Sequence, residues 1–412
     1  MRIPTKHLKI FLSVVEHGNL ARAALESHRA HSAVARSIVV IEEALKFQLF
    51  QRHTKGMAIT ETGRIFARRV RYAMREMQNA KEKLADHYPP DQTPPRNARI
   101  YSLSINERHL IALLMFAERP HIAGIAESLG VSQPAISTAF QNIEADLELS
   151  LIDRSTPILR LTPAGMVICD HLYRAMAQLR LAKAELNMTT GEPKETVTIG
   201  ALPFARTYIL PVALARLHTK YPKLLFRTEE GKFNYLSHQL YLGNIDLIVG
   251  ALPTQEVHSE FERELLFTDQ LRLMVRASHP LLKQKYLSLQ DALSLDWVLP
   301  RPDTPTRKIL TSVFNHAQIP EPIATVESSD LSIIRGLLLE SNMVTAASKH
   351  LFHHELRTGA LKTLPITLET GPRILGILRR SKTHTSPGAE FLISEIRRLS
   401  NLDPTKQVRK DE

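Results

Sequence analysis

Between residues 107 and 188 the apolar positions fall at helical spacing in three short runs and then one long one. The first run, 107–117, predicts a helix. The second, 122–129, predicts another, ended by Gly130, because glycine takes the left-handed turn at a helix terminus without a Cβ penalty. Ser132 predicts the cap of a third helix: its hydroxyl accepts an orphan amide hydrogen, and Pro134 lies in the first turn, where its missing hydrogen costs nothing. Ile136, Phe140 and Ile143 give that helix one apolar stripe and leave Gln133, Ser137, Thr138 and Gln141 facing outward. This is the layout of a recognition helix, whose N-terminal residues reach base edges in the major groove while the preceding helix crosses the phosphate backbone. Segments 151–154 and 158–161 predict a short strand pair, the wing. A helix over about 163–187 follows, with Met166, Val167, Leu172, Met176 and Leu179 apolar. A stripe of that length needs a partner, most simply another such helix, so dimerisation is expected.

The same pattern stands 102 residues earlier: Leu8, Glu16, Glu42, Leu49, Arg52, Thr60 and Gly63 recur as Leu110, Glu118, Glu144, Leu151, Arg154, Thr162 and Gly165. Segments 8–16, 19–27 and 33–45 fill the three short helices of this first copy, with Asn19 as a cap. Its turn holds no glycine, and Ala30-His31-Ser32-Ala33 replaces Ser132-Gln133-Pro134-Ala135. Arg29, His31, Ser32, Arg36, Arg52, His53, Lys55 and Arg64 instead surround the turn, helix and wing with mainly cationic groups suited to phosphate contacts, which supply affinity and little sequence information. Residues 89–106 join the copies. Their Tyr88-Pro89-Pro90…Pro94-Pro95 start predicts an extended, stiff spacer, in which about 12 residues reach roughly 37 Å at ~3.1 Å each. That reach allows the two long helices to pair within one chain, and pairing between chains is the alternative.

From Thr196 the pattern becomes short apolar strands alternating with helices, at 197–200, 225–228, 245–250, 272–276, 297–299, 343–347 and 374–378, as in open α/β sheets. Ligands of such sheets bind outside the carboxyl ends of strands. Leu202, Pro203, Phe204, Arg206 and Thr207 follow the first strand at a helix entry whose free amides suit a carboxylate, and Thr304-Pro305-Thr306-Arg307 is a second such entry. Arg206 and Arg307 are candidate partners for an anion; the alternative is that both arginines make surface salt bridges and both threonines cap helices.

Composition sharpens this reading. The chain has 412 residues, 43% hydrophobic and 23% charged, enough for several packed domains. Of the net charge of +11, residues 1–88 carry +8 and residues 89–188 carry −1, so the cationic excess belongs to the first copy. A lone cysteine, Cys169, cannot make an intrachain disulfide, and no apolar run approaches the ~20 residues of a membrane span, so a cytoplasmic protein without membrane contact is expected. A phosphate-binding glycine loop, a Gly-x-Ser-x-Gly elbow and a His-Glu-x-x-His motif are all lacking, so no catalytic residue, metal or cofactor is predicted. The closest approach to a metal set, His350, His353, His354 and Glu355, is expected to be solvated.

These residues resemble the LysR-type transcriptional regulators of bacteria over nearly the whole chain, with the extra unit at 1–88 as the departure. The resemblance implies that Ser132, Gln133, Pro134, Ala135, Ser137, Thr138 and Arg154 match the family's DNA-reading motif, whereas the first copy matches in framework and at Thr60 and Gly63. Ile209-Leu210-Pro211, Tyr221-Pro222 and Gly243 with Asp246 resemble the family's effector domain, a two-lobed relative of type II periplasmic binding proteins. The implied architecture is α+β and multidomain: winged units at 1–88 and 107–188, an effector domain at 196–400 and a tail at 401–412. Lobe I would hold 196–268 and 372–400, and lobe II 269–371. The implied partners are promoter DNA, a small-molecule co-inducer between the lobes, further copies of the chain in a dimer or tetramer, and RNA polymerase. The family often has hydroxyl residues where Leu202 and Phe204 stand, which favours an organic acid with an apolar body. A solute-binding protein or an enzyme on the same α/β fold is the rival class.

Overall fold

In the computed structural model, which describes residues 3–53, 56–90, 92–191, 193–253, 258–371, 373–381 and 384–401, the repeat is visible as geometry. The first unit comprises α1 (Leu8–His17), α2 (Leu20–Glu26), α3 (His31–Leu45), the wing strands β1 (Phe50–His53) and β2 (Gly56–Ile59), and the long α4 (Glu61–Leu84). The second comprises α5 (Glu107–Glu118), α6 (Ile122–Leu129), α7 (Gln133–Leu147), β3 (Ile152–Asp153), β4 (Arg160–Leu161) and α8 (Pro163–Met188). Asn19 caps α2 by accepting from the Ala21 amide at 2.7 Å, and Ser132 caps α7.

The same half-buried polar groups hold each unit together. Glu42 Oε1 accepts from the amides of Leu49 and Phe50 at 2.6 and 3.1 Å; Glu144 Oε1 accepts from Leu151 and Ile152 at 2.8 and 3.0 Å. Thr60 and Thr162 each cap the long helix by accepting from the amide of Gly63 or Gly165 and donate to a carbonyl ahead of the wing. A Cβ on either glycine would lie 2.2 Å from the carbonyl oxygen of Leu49 or Leu151, so backbone approaches backbone there and only glycine fits. Lys46 and Glu148 end the third helices in the left-handed region, at φ 62° and 53°.

The two long helices run antiparallel against each other within the chain. Arg69 of α4 donates to both carboxylate oxygens of Glu185 at 2.6 and 3.1 Å and to Gln178 at 3.0 Å, while Glu76, farther along α4, meets His171 and Arg174, which lie earlier on α8. One continuous apolar cluster, from Ile3 through Met77 and Leu113 to Leu186, fills both units. The joining segment departs from the extended spacer expected of it. After its prolines it turns through a 3-10 helix, Arg99–Ser102, and buries Ile100, Tyr101 and Leu103 in that shared core. Three apolar side chains in four residues make burial the favoured state once two helices offer a groove. Arg99 fastens the turn to Asp146 at 2.6 Å.

The remaining chain forms two lobes. Strands β5 (Thr196–Ala201), β6 (Leu225–Glu229) and β7 (Leu247–Ala251) are parallel, and α9 (Ile209–Lys220) and α10 (Phe233–Leu242) connect them. β8 (Phe261–Asp269) crosses out to β9 (Leu271–Arg276), and the chain later returns as β14 (Arg373–Arg380), antiparallel to β7 and β8 in the order β6-β5-β7-β14-β8. The second lobe holds β9, then β10 (Trp297–Leu299), α11 (Pro305–His316), β11 (Ala324–Glu327), α12 (Leu331–Glu340), β12 (Thr345–Ser348), α13 (His353–Thr358) and β13 (Leu361–Thr363), with β12-β9-β13 antiparallel and β10 parallel to β11. The final helix, α14 (Pro387–Asn401), covers the first lobe, where Phe391 stacks on Tyr221 at 4.5 Å.

All seven predicted strands are present. β8, β11 and β13 are additional: β8 opens with Glu262-Arg263-Glu264, a polar run that does not read as a strand until Arg379 and Arg397 pair with its carboxylates.

Candidate nucleic-acid interface and effector cleft

The helix–turn–helix corner is built alike in both units by different residues. In the second, Gly130 takes φ 65° and the Val131 amide bonds the Ala126 carbonyl; in the first, His28 takes φ 50° and the Arg29 amide bonds the Ala24 carbonyl. The missing glycine is thus replaced by a histidine in a conformation that disfavours side chains.

On α7, Ser132, Gln133, Pro134, Ala135, Thr138 and Gln141 are exposed and Ser137 is half-buried, while Ile136, Phe140 and Ile143 point into the core. The outward face is neutral and rich in hydrogen-bonding groups. On α3 the exposed set is Arg29, His31, Ser32 and Arg36. Here Ala30, not a hydroxyl residue, occupies the cap position and makes no side-chain bond, and Val39 is exposed where α7 carries Gln141. Arg52 lies on β1, and Lys55 falls outside the described residues. Arg154 was expected among the DNA-reading residues, but its guanidinium bonds both oxygens of Glu144 at 2.9 and 3.1 Å, which fastens the wing to α7. Its first duty is therefore structural, and any phosphate would share a partly exposed, already paired cation.

In the α/β half, Leu202 and Phe204 are buried and the Thr207 hydroxyl donates to the His350 carbonyl at 2.8 Å. The ring of Phe204 meets those of His350 and Phe267 at 5.0 and 5.8 Å, and Tyr208 stacks on His353 at 3.8 Å. The turn that carries Pro203 and Arg206 therefore faces the segment after β12 in the other lobe. Phe204, Tyr208, Ile209, Phe267, His350 and Leu399 line a narrow crevice of about 10 Å³. Arg206 spends Nε on the Ala201 carbonyl at 2.8 Å, and burial lowers its pKa from the ordinary value.

The second expected wall changes character. Thr304 caps α11 by accepting from the Arg307 amide at 3.3 Å, with Pro305 and Thr306 in the first turn. Arg307 pairs with Glu321, whose same oxygen also accepts from Thr311 at 2.9 Å. Arg307 thus follows the salt-bridge alternative: its charge is met inside its own lobe by an acid 14 residues away, which spacing along the sequence did not disclose. The histidine set also disperses, with His350 against Phe204, His353 on Tyr208, and Glu355 paired with Arg335 at 2.7 Å. Sequence reading missed Phe267 and His350 as crevice residues, since nothing local marks them.

Two winged helix-turn-helix units joined to a two-lobed α/β domain define a DNA-binding transcriptional regulator with a substrate-binding domain. The family described as bacterial regulatory helix-turn-helix protein, lysR family, matches residues 5–64 and again 108–166, and the LysR substrate binding domain matches 190–400. The HTH-type transcriptional regulator GalR of Pseudomonas putida is 32% identical over 95% of this chain and 96% of its own. The dual regulator GltC of Bacillus subtilis is 28% identical over 71% of this chain and 98% of its own. A full-length OxyR variant of Pseudomonas aeruginosa shares the fold with a TM-score of 0.52 at 22% identity over 70% of this chain and 94% of that one. CbnR, solved alone and with its target DNA, shares it at 0.50 and 20% identity over 71% and 98%. The chain belongs to the LysR family. Its relatives are transcriptional regulators, which bind DNA and small-molecule effectors and are not enzymes.

Proposed function

We propose that one chain presents a complete pair of DNA-binding heads with divided labour, α3 supplying grip and α7 supplying sequence reading, under control of an effector held between the lobes. The observation that carries this reading is the antiparallel packing of α4 on α8, fastened by Arg69 to Glu185, which places both heads on one shared core. A pair made of unequal heads suits an operator of two unlike half-sites. Two winged units in separate chains would need a second copy to reach the same arrangement. Mass photometry of the full chain on footprinted operator DNA tests the point: the expected ratio is one chain per pair of adjacent half-sites, and two chains per pair would overturn it.

The effector is an organic acid with an apolar body. Phe204, Phe267 and Ile209 supply an apolar wall, and Arg206, two residues beyond Phe204 though not part of that crevice's lining, keeps its terminal amino groups for a carboxylate after Nε is spent. The operator footprint recorded with a panel of small aromatic and aliphatic acids should change with an aromatic acid in the wild type and not in Arg206→Gln. An unchanged response in that variant would remove Arg206 from the site. Higher oligomers, contact with RNA polymerase and a cytoplasmic location belong to the same reading.

A further inference from the structure

A second crevice, of about 350 Å³ and open to solvent, lies where the paired long helices meet the first lobe. Tyr72, Arg75 and Glu76 reach it from α4, Arg174 from α8, and Arg380 and Ser381 from the end of β14. We propose that this crevice binds a small oxyanion, a phosphate or dicarboxylate, on Arg380 and Arg75, and so ties the DNA-binding pair to the effector domain.

Charge carries the argument. Arg380 is 5% exposed, its Nε has no hydrogen-bond partner, and the guanidinium makes no ion pair among the described residues. Its neighbour Arg180 donates to the Gly243 carbonyl at 2.8 Å. Asp246, the half-buried acid that acts on both, also accepts from the Thr198 amide at 2.7 Å. Asp246 is thus shared between two guanidiniums, and Glu76, the other acid that acts on Arg380, is already held by Arg174 and His171, so the charge of the buried Arg380 is not fully met where it lines the crevice. Burial lowers Arg380 to about 10, so it stays charged at neutral pH. A buried charge without a partner is costly, and an oxyanion with two acceptor oxygens is the group that relieves it.

The other cations sort by what they already hold. Arg174 is committed to Glu76 at 3.0 Å and Glu260 at 2.8 Å, which neutralise it twice over. Arg75 only stacks on Tyr72, 5.4 Å from the ring centre, and has no carboxylate partner among the described residues. His384, on the same rim, bonds Ser381 at 2.8 Å and is driven down to about 4 by burial and by Arg380 and Arg69, so it is neutral and adds no charge. Glu76 and Glu260 line the same crevice, both already engaged by Arg174, and their charge restricts the ligand to a small anion. The location, bounded by α4, α8 and β14, differs from the crevice around Phe204 and His350. A ligand here is therefore a second input, one that braces the effector lobe against the helices that set the spacing of the two heads.

Calorimetric titration of the full chain at fixed ionic strength, with inorganic phosphate in one arm and succinate in the other, tests this. Saturable binding of one anion per chain is expected in at least one arm, with a rise in melting temperature. Arg75→Gln should weaken it about tenfold and Arg380→Gln should abolish it, while Lys220→Gln, which removes the same charge from the exposed end of α9, should leave it unchanged. If Arg380→Gln does not fold, Arg75→Gln alone decides. Absence of saturation in both arms, wild-type affinity in Arg75→Gln, or equal weakening by Lys220→Gln would each overturn the proposal.

Discussion

The two winged units agree in the contacts that hold their frameworks together and differ in what their third helices expose. Glu42 and Glu144, Thr60 and Thr162, Gly63 and Gly165, and the left-handed Lys46 and Glu148 hold corresponding places 102 residues apart, down to the same donor and acceptor atoms. At the exposed positions α3 carries His31, Ser32 and Arg36 where α7 carries Gln133, Pro134 and Thr138. Buried polar groups are constrained because an unmade bond costs the full desolvation of its partner, whereas exposed positions exchange at little cost to the fold. A duplicated unit can thus keep its shape and divide its work.

The largest test of the comparison concerns what joins the halves. Arg69→Ala should cost about 3–5 kcal/mol in urea unfolding, since it leaves the half-buried Glu185 carboxylate facing Gln178 without its main partner. Burial pushes the Glu185 pKa up, but Arg69 and Arg68 outweigh it and hold the carboxyl below its ordinary value of 4.5. The stability this gives is complete above pH 4.5 and is lost as pH falls through the lower folded value, so the acid sensitivity of the wild type should diminish in the variant. A loss under about 1 kcal/mol would mean that the pair does not hold the two units together.

Next in size, Gly63→Ala and Gly165→Ala should each destabilise by about 3 kcal/mol, because the added methyl meets a backbone carbonyl that cannot swing away. Denaturation midpoints of the two variants should match. A wide gap between them would show that the shared framework is not equally strained.

The division of labour is tested on DNA. Gln133→Ala should lose about 1–3 kcal/mol of discrimination at particular bases, and Arg36→Ala should weaken matched and mismatched sites alike while lowering the salt slope by about one. Salt titrations on paired sites read both effects, and equal behaviour of the two variants would end the distinction between grip and reading. The smallest expected change is in the caps. Ala30 has the extended backbone of a cap but lacks its hydroxyl, so Ala30→Ser should add about 1 kcal/mol and Ser132→Ala should remove about as much, measured as opposite shifts in melting temperature.

Much of this molecule could be read along the chain because its cues are local. Asn19, Ser132, Thr162 and Gly130 cap or end helices through neighbours within four residues, and the seven apolar strand segments needed only their own composition. What stayed hidden depends on partners far away in sequence. β8 reads as polar until Arg379 and Arg397 meet it, the 98–105 segment reads as a spacer until α4 and α7 enclose Ile100 and Leu103, and Arg307 reads as a free cation until Glu321 is brought beside it.

The sequence by itself determined that there are two winged units and a two-lobed α/β domain, because helix caps, apolar periodicity and repeat spacing act over a few residues at a time. Only the tertiary structure decided that the two long helices satisfy each other within one chain, and which arginines are already spoken for. The reason is that burial and charge pairing are properties of what surrounds a side chain, and for Arg69, Arg307 and Arg380 the deciding neighbours come from other helices and strands, 14 residues away for Arg307 and 116 for Arg69.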